Sequence, residues 1–378
     1  MLDESLLDDP EALARADRRG LLRGAAEAGA RVRTAARHAA EAGVTDLEPE
    51  GRPRAVLVAG PGTASTGVAD LVGSLAGASA PVVHLHSTGV APAAGALRWA
   101  LPGWCGSVDL LLIATTDGSE AGLAVLAEQA YRRGVTVVAV APQRSPLSEA
   151  VDGRHGLVVP MATAPHDLYD EEGQAASPGT LWALFTPLLV LLDRVGLITA
   201  PADTLQKVAD RLDDIAERCG PAVATYSNPA KTLASELADT MPLVWTEGTA
   251  AAPVGRRFAA VLAELAGRPA LAGELPEALP AHGVLLAGDL AGGADPDDFF
   301  RDRVEEAQAL RARVVLLRDR PAGGLTAAPA ARELALSHDT AISELEPQEG
   351  TELEALAELL AVTDFAAVYL ALATGADA

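Results

Sequence analysis

The apolar positions along this chain switch repeatedly between short continuous runs and a three- and four-residue spacing. The clearest instance is residues 109–142. Leu110-Leu111-Leu112-Ile113-Ala114 is an unbroken apolar run, too short for an amphipathic helix, and a polar turn, Thr115-Thr116-Asp117-Gly118-Ser119, follows it. Leu123, Leu126, Ala127 and Ala130 then recur at helical spacing, Gly134 stops the helix, and residues 135–140 are a second, valine-rich run. Strand, turn, helix, strand is a βαβ unit. Strands apolar on both faces predict a parallel sheet covered on both sides. Ligands of such sheets lie beyond the carboxyl ends of the strands, so chemistry is expected at residues 115–119.

The same alternation surrounds this unit. Residues 55–59 predict a first strand, followed by the glycine-rich loop Gly60-Pro61-Gly62-Thr63-Ala64-Ser65-Thr66-Gly67 and a helix to about residue 75. Residues 81–85 predict a short strand, 146–151 a helix and 157–160 an edge strand. This is the pattern of a doubly wound three-layer sandwich. Residues 161–180 form a polar loop with the acidic cluster Asp167, Asp170, Glu171 and Glu172, and helices at 181–197 and 202–218 lead to a second half. There, strands are predicted at 222–225, 242–245, 283–287 and 313–317, with helices through residue 237 and at 254–266 and 297–309. Residues 351–374 form a helix apolar nearly all round, which should be buried between halves or subunits. At the start, Asp9-Pro10-Glu11 reads as a helix N-terminus, and the helical signal runs on to about residue 43. Its arginines, among them Arg15, Arg23, Arg31, Arg33 and Arg37, make it a solvated lid or dimer arm, with a Pro/Gly-rich linker at 48–53. The fold class is therefore α/β: a helical arm (1–50), then two tandem αβα sandwiches with mostly parallel sheets (51–200 and 201–378), closed by a buried helix.

Composition narrows the partners. With 52 acidic against 29 basic side chains the net charge is −23, which repels nucleic acid and anionic membrane surfaces. The only lysines are Lys207 and Lys231. Cys105 and Cys219 stand outside any metal-ligand spacing, so free thiols in a reducing cytoplasm, and no metal or other cofactor, are expected. The opening MLDESLLDDP lacks a basic, then apolar, export signal. The apolar stretch 181–192 is interrupted by Pro187 and too short to span a bilayer.

Four places carry a resemblance to a known family. Residues 60–70 resemble the motif G-M-G-G-S-x-x-x-x-D, and residues 115–120 stand where S-Y-S-G-N-T would stand. Asn228-Pro229-Ala230-Lys231 matches N-P-A-K, and residues 257–264 are placed like R-W-K-x-x-x-N-E, with Glu274-Leu275-Pro276-Glu277 echoing F-P-E. On these the chain is similar to the bifunctional phosphoglucose/phosphomannose isomerases, of sugar isomerase (SIS) fold. The resemblance implies two SIS domains, a homodimer, and interconversion of an aldose phosphate with its ketose through an enediol. A glutamate would move the proton, a histidine would open the ring, and the hydroxyls of the second motif would cradle the phosphate at a helix N-terminus.

Carried over position by position, the base falls on Glu264. The ring-opening histidine is matched by Pro280, leaving His282 as a substitute, and His166 stands nearest the family's arginine. Substrate contacts would come from Gly60, Gly62, Thr63, Ser65, Thr66, Thr115, Asp117, Gly118, Ser119 and Glu120. Here the chain departs from the pattern: Asp117 replaces a phosphate-binding serine and Glu120 a threonine. Two carboxylates beside a phosphate dianion in a partly dry cleft cost on the order of several kcal/mol, against about 1 kcal/mol for each lost hydroxyl bond. Alternatively Asp117 caps the following helix, with Glu120 in its first turn. The expectation is a dimeric, sugar-binding protein of hexose or mannose metabolism whose isomerase activity is lost or much reduced. The alternatives are a working isomerase with Glu264 as base, and the same fold acting on a cationic amino-sugar.

Overall fold

The structure, a computed structural model, describes residues 2–49, 51–91, 93–153, 156–162, 178–288, 290, 311–319 and 325–375. His166, the acidic cluster of Asp167, Asp170, Glu171 and Glu172, and the helix expected at 297–309 lie outside the described residues. The chain forms two compact units: residues 19–216, and residues 1–18 together with 217–378. They are called here the first-sheet and second-sheet units.

In chain order, α1 (Glu4–Leu7) and α2 (Pro10–Ala16) belong to the second-sheet unit, each started by an aspartate, Asp3 and Asp9, that accepts two backbone N–H groups. The first-sheet unit then runs α3 (Leu21–Ala26), α4 (Ala28–Glu41), β1 (Val56–Ala59), α5 (Gly62–Ala76), β2 (Val82–Leu85) and β3 (Leu110–Ala114). It continues with α6 (Ala121–Arg132), β4 (Thr136–Ala141), α7 (Pro146–Asp152), β5 (Leu157–Pro160), α8 (Thr180–Arg194) and most of α9 (Ala202–Arg218). The five strands are parallel in the order β2-β1-β3-β4-β5, with Leu57 beside Val83 and Leu111. One face packs Leu57, Ala59, Leu85, Leu111 and Ile113 against Leu123, Leu126 and Leu147 of α6 and α7. On the other, α8 packs against α4, α5, β3 and β4.

The N-terminal helices divide between the two units. Residues 1–18 sit with the second sheet and 19–49 with the first. Leu21, Leu22, Val32, Ala35 and Ala39 are buried, so α3 and α4 present an apolar stripe rather than a solvated surface. Their arginines are spent locally: the Arg33 guanidinium pairs with Asp210 and Asp213 of α9 at 2.7 and 2.8 Å.

In the second-sheet unit follow α10 (Pro229–Leu237), β6 (Thr240–Glu247), α11 (Ala251–Ala266), β7 (Leu271–Glu274) and α12 (Ala278–Ala287). Then come β8 (Arg311–Arg318), α13 (Ala328–Ser337), β9 (Ala341–Leu345) and α14 (Glu352–Thr374). Its strands are parallel in the order β7-β6-β8-β9, and Leu243, Trp245, Val314 and Leu316 face Ala278, Leu286, Ala331 and Ala335. Two expected strands are absent. Residues 283–287 are the end of α12, since a five-residue apolar run carries no period of its own. Residues 222–225 form a turn into the 3-10 helix Thr225–Ser227. It is held by Lys231, whose buried Nζ donates to the carbonyls of Pro221 and Val223 at 2.7 and 2.8 Å. Asn228 caps α10, accepting from the N–H groups of Ala230 and Lys231. Both cysteines are free and buried, and burial pushes the Cys219 thiol up to about 11.

Helix α14 opens with a capping box, Thr351 and Glu354, and is long and apolar enough to cross a membrane, but its apolar stretch is wholly buried in the structure. It packs on α10 and α11 of its own unit and is buried without a second subunit. In its middle Asp364 takes two bonds from the Arg257 guanidinium of α11, at 3.0 and 3.1 Å, both side chains being buried. Burial raises the Asp364 carboxyl and outweighs the arginine's opposing pull. Removing one partner strands a charge in the core. Asp364→Ala or Arg257→Ala is expected to cost about 3–5 kcal/mol, while Arg257→Met with Asp364→Leu costs far less; urea denaturation of the three variants measures it.

Candidate functional site

In the first sheet, whose strands are all parallel, the strand order reverses between β1 and β3, which brings the carboxyl ends of these strands, and the loops that leave them, side by side. The approach is close. A Cβ on Gly60 would lie 2.0 Å from the carbonyl oxygen of Ala114, and the Ser65 hydroxyl donates to that same oxygen at 2.8 Å. The expected glycine loop at 60–67 is mostly helix, since α5 begins at Gly62. Thr63 and Ser65 are therefore first-turn residues of α5 and Thr66 opens its second turn. Ser65 is buried and committed to Ala114, Thr66 is exposed and Thr63 half-buried. Pro61, at the N-cap, supplies no side-chain acceptor.

The loop after β3 is closed on itself. Thr115 is fully buried, and its hydroxyl donates to Glu120 Oε1 at 2.9 Å while accepting the N–H groups of Asp117 and Gly118, each at 3.2 Å. Glu120 occupies the N-cap of α6 without capping it, its side chain turned back into the loop and 3% exposed. Its Oε2 is buried with no hydrogen-bond partner among the described residues. Burial raises this carboxyl's pKa, against the opposing bonds from its own N–H, Thr115 and Gly118. Gly118 adopts φ 72°, and a Cβ there would meet Ser145 Oγ at 2.4 Å. The loop is pinned to α7, where the N–H of Leu147 donates to the Gly118 carbonyl. Asp117 is exposed at the rim and accepts the Ser119 hydroxyl at 2.5 Å.

Neither half of the capping expectation holds. Asp117 does not cap α6, and Glu120 is not in its first turn. The electrostatic picture also changes: one carboxylate faces outward, and the other is sealed inside and biased toward its neutral form.

The second sheet has an analogous reversal between β6 and β8. There Glu247, the last residue of β6, accepts the Thr326 hydroxyl at 2.7 Å, the Ala327 N–H at 2.5 Å and Arg318 Nε at 3.2 Å, just ahead of α13. Burial alone would raise its carboxyl, but these donors together hold it below the usual range. Sequence reasoning missed Glu247, whose one signal was an acid ending an apolar strand before a glycine. A cavity of about 230 Å³ in the same unit is lined by Asp319, Glu346 and Glu352, among others, and burial and Asp319 raise the Glu352 carboxyl.

Glu264 is exposed near the C-terminal end of α11, seven residues and so about two turns on from buried Arg257. His282 lies on α12, buried, where its Nδ1 accepts the Trp245 indole N–H at 2.7 Å and burial lowers its pKa. That bond leaves the neutral ring's proton on Nε2. The described first-sheet residues of the expected site thus gather at one end of their sheet, while Glu264 and His282 occupy separate helices of the second-sheet unit.

The sealed carboxyl has a readable pH signature. Its folded pKa is raised, so the contribution of this carboxyl to stability is fully present below the ordinary glutamate value of 4.5 and is lost as pH climbs from there through the folded value. Glu120→Gln keeps an acceptor for Thr115 without the ionisation. The thermal midpoint of the variant minus that of wild type is expected to grow with pH across that window, in paired melts from acid to neutral pH.

Residues 226–378 match the family model described as the bacterial phospho-glucose isomerase C-terminal SIS domain. No curated protein matches the chain. Among solved structures, the C-terminal domain of glucosamine-fructose-6-phosphate aminotransferase from Francisella tularensis is similar at 14% identity and a TM-score of 0.54, covering 94% of this chain and 96% of that one. Tagatose-6-phosphate ketose/aldose isomerase from Escherichia coli is similar at 15% identity and a TM-score of 0.52, covering 97% and 94%. Likeness at this identity is likeness of fold. The chain carries the sugar isomerase (SIS) fold, and it resembles the phosphoglucose isomerase family, whose C-terminal SIS domain its residues 226–378 match.

Proposed function

We propose that this is a sugar- or sugar-derivative-binding protein of hexose or mannose metabolism whose isomerase activity is lost or much reduced. The observation that carries the reading is the bond from the Thr115 hydroxyl to Glu120. A phosphate cradle needs free hydroxyl and N–H donors at a helix N-terminus. Here Thr115 donates to a carboxylate of the same loop, and the Asp117 and Gly118 N–H groups are spent on Thr115. A phosphate dianion would have to displace a covalently tethered competitor and sit beside it. The exposure of Glu264 supports the same reading, because a base that moves a carbon-bound proton works within hydrogen-bond reach of it.

One observation favours a narrower ligand class. The Asp117 carboxylate faces outward at the loop's mouth, which suits an ammonium or hydroxyl group better than a phosphate, as on an amino-sugar. By resemblance the assembly is a cytoplasmic homodimer, which light scattering measures.

In coupled assays on glucose 6-phosphate and mannose 6-phosphate, the wild type is expected to stay at background, with Glu264→Gln indistinguishable from it. Turnover that Glu264→Gln abolishes would establish the working isomerase instead. In thermal-shift titrations an amino-sugar is expected to raise the melting midpoint and hexose 6-phosphates to leave it in place, since a ligand at about 100 times its Kd adds about 2.7 kcal/mol to the folded state.

A further inference from the structure

A second chemical feature of the first-sheet unit stands at the outer end of its sheet and does not depend on the proposed ligand. β2 is an edge strand, its His84 level with Val58 of β1 and its Leu85 level with Ala59, the residue before Gly60. Alternate residues of a strand share a face. Leu85 points into the core shared with α6 and α7. His84 and His86 therefore project together on the other side, their ring centroids 4.1 Å apart at an angle of 52°. His84 is half-buried and His86 exposed, so solvent and ions reach the pair. The Asp70 carboxylate of α5 lies close enough for its charge to act on His84.

We propose that His84 and His86 form a two-imidazole site for a divalent transition-metal ion at the carboxyl end of the first sheet. Imidazole nitrogens suit zinc, copper and nickel, bound at about 2.0–2.1 Å. An ion held at that distance between one nitrogen of each ring sets the ring centroids about 5 Å apart, so the two rings already neighbour each other closely and exposed His86 opens the small difference by side-chain rotation. The competing description, simple stacking of two rings, gives no reason for two like-charging groups to share one face beside an acid. Among the described residues no three His, Cys, Asp or Glu side chains converge as a metal-binding group. The described residues thus give two ligands, and water or an oxygen-bearing ligand fills the remaining positions. The excess of acidic groups, a net charge of −23, favours cation approach.

Isothermal titration of the full, untagged and chelator-treated chain with Ni²⁺ tests this. Wild type is expected to take up an equivalent that His86→Gln and His84→Gln each lose, while His338→Gln, on the second-sheet unit, retains it. His86 is exposed, so its variant keeps the fold, and circular dichroism checks both. An unchanged isotherm for His86→Gln, or no uptake by wild type, overturns the site. Neither outcome bears on sugar binding, which the thermal-shift titrations read separately.

Discussion

A parallel sheet with helices on both faces gathers the amino ends of those helices at one edge, and the N–H groups there require an acceptor. Many proteins leave that need to a ligand. This chain places a glutamate of its own at that edge of each sheet, and Glu247 accepts the N–H of Ala327 at the N-cap of α13. Glu247 is surrounded by Thr326, Ala327 and Arg318 and is held ionised. Glu120 finds Thr115, its own amide and that of Gly118, and one oxygen is left over. The two residues hold comparable places at the sheet reversals, yet their carboxyls shift in opposite directions, because Thr326, Ala327 and Arg318 together outweigh the burial of Glu247 while the donors to Glu120 do not outweigh its own.

The strands most legible from sequence are the ones sealed on both faces, although the edge strands β2 and β5 were also read, from their valine-rich runs. Residues 110–114 and 136–141 read as strands because nothing polar interrupts them, and both lie in the interior of the first sheet. β7 and β9 escaped notice because they are edge strands, partly exposed, with sequences LAGE and AISEL that carry no clear alternation. The run at 283–287 misled for the opposite reason, being apolar enough for a buried strand while finishing a helix. At the candidate site, residue types were readable and their directions were not. That Glu120 would fold back onto Thr115 depends on the φ of 72° at Gly118 and on how α7 pins the loop, and neither has a local signature.

The motifs that carried the family resemblance turn out, in the second-sheet unit, to be occupied by packing. Asn228 caps α10, Lys231 ties down the turn before it, and Arg257 neutralises Asp364 inside α14. Each would be hard to replace without a cost in stability, whether or not catalysis is retained. Their roles in this structure are mechanical, and their presence says more about fold than about turnover.

Lys231 has one more consequence. Its ammonium group is buried, bonded to two carbonyls and set 5.4 Å from the centre of the Tyr369 ring. Burial lowers its pKa, but no reagent can reach it without unfolding the turn around it. The chain's other lysine, Lys207, stands in the open on α9. Amine-directed labelling of the native protein, apart from its amino terminus, is thereby confined to a single side chain, a built-in handle for attaching a dye or a surface at one known point.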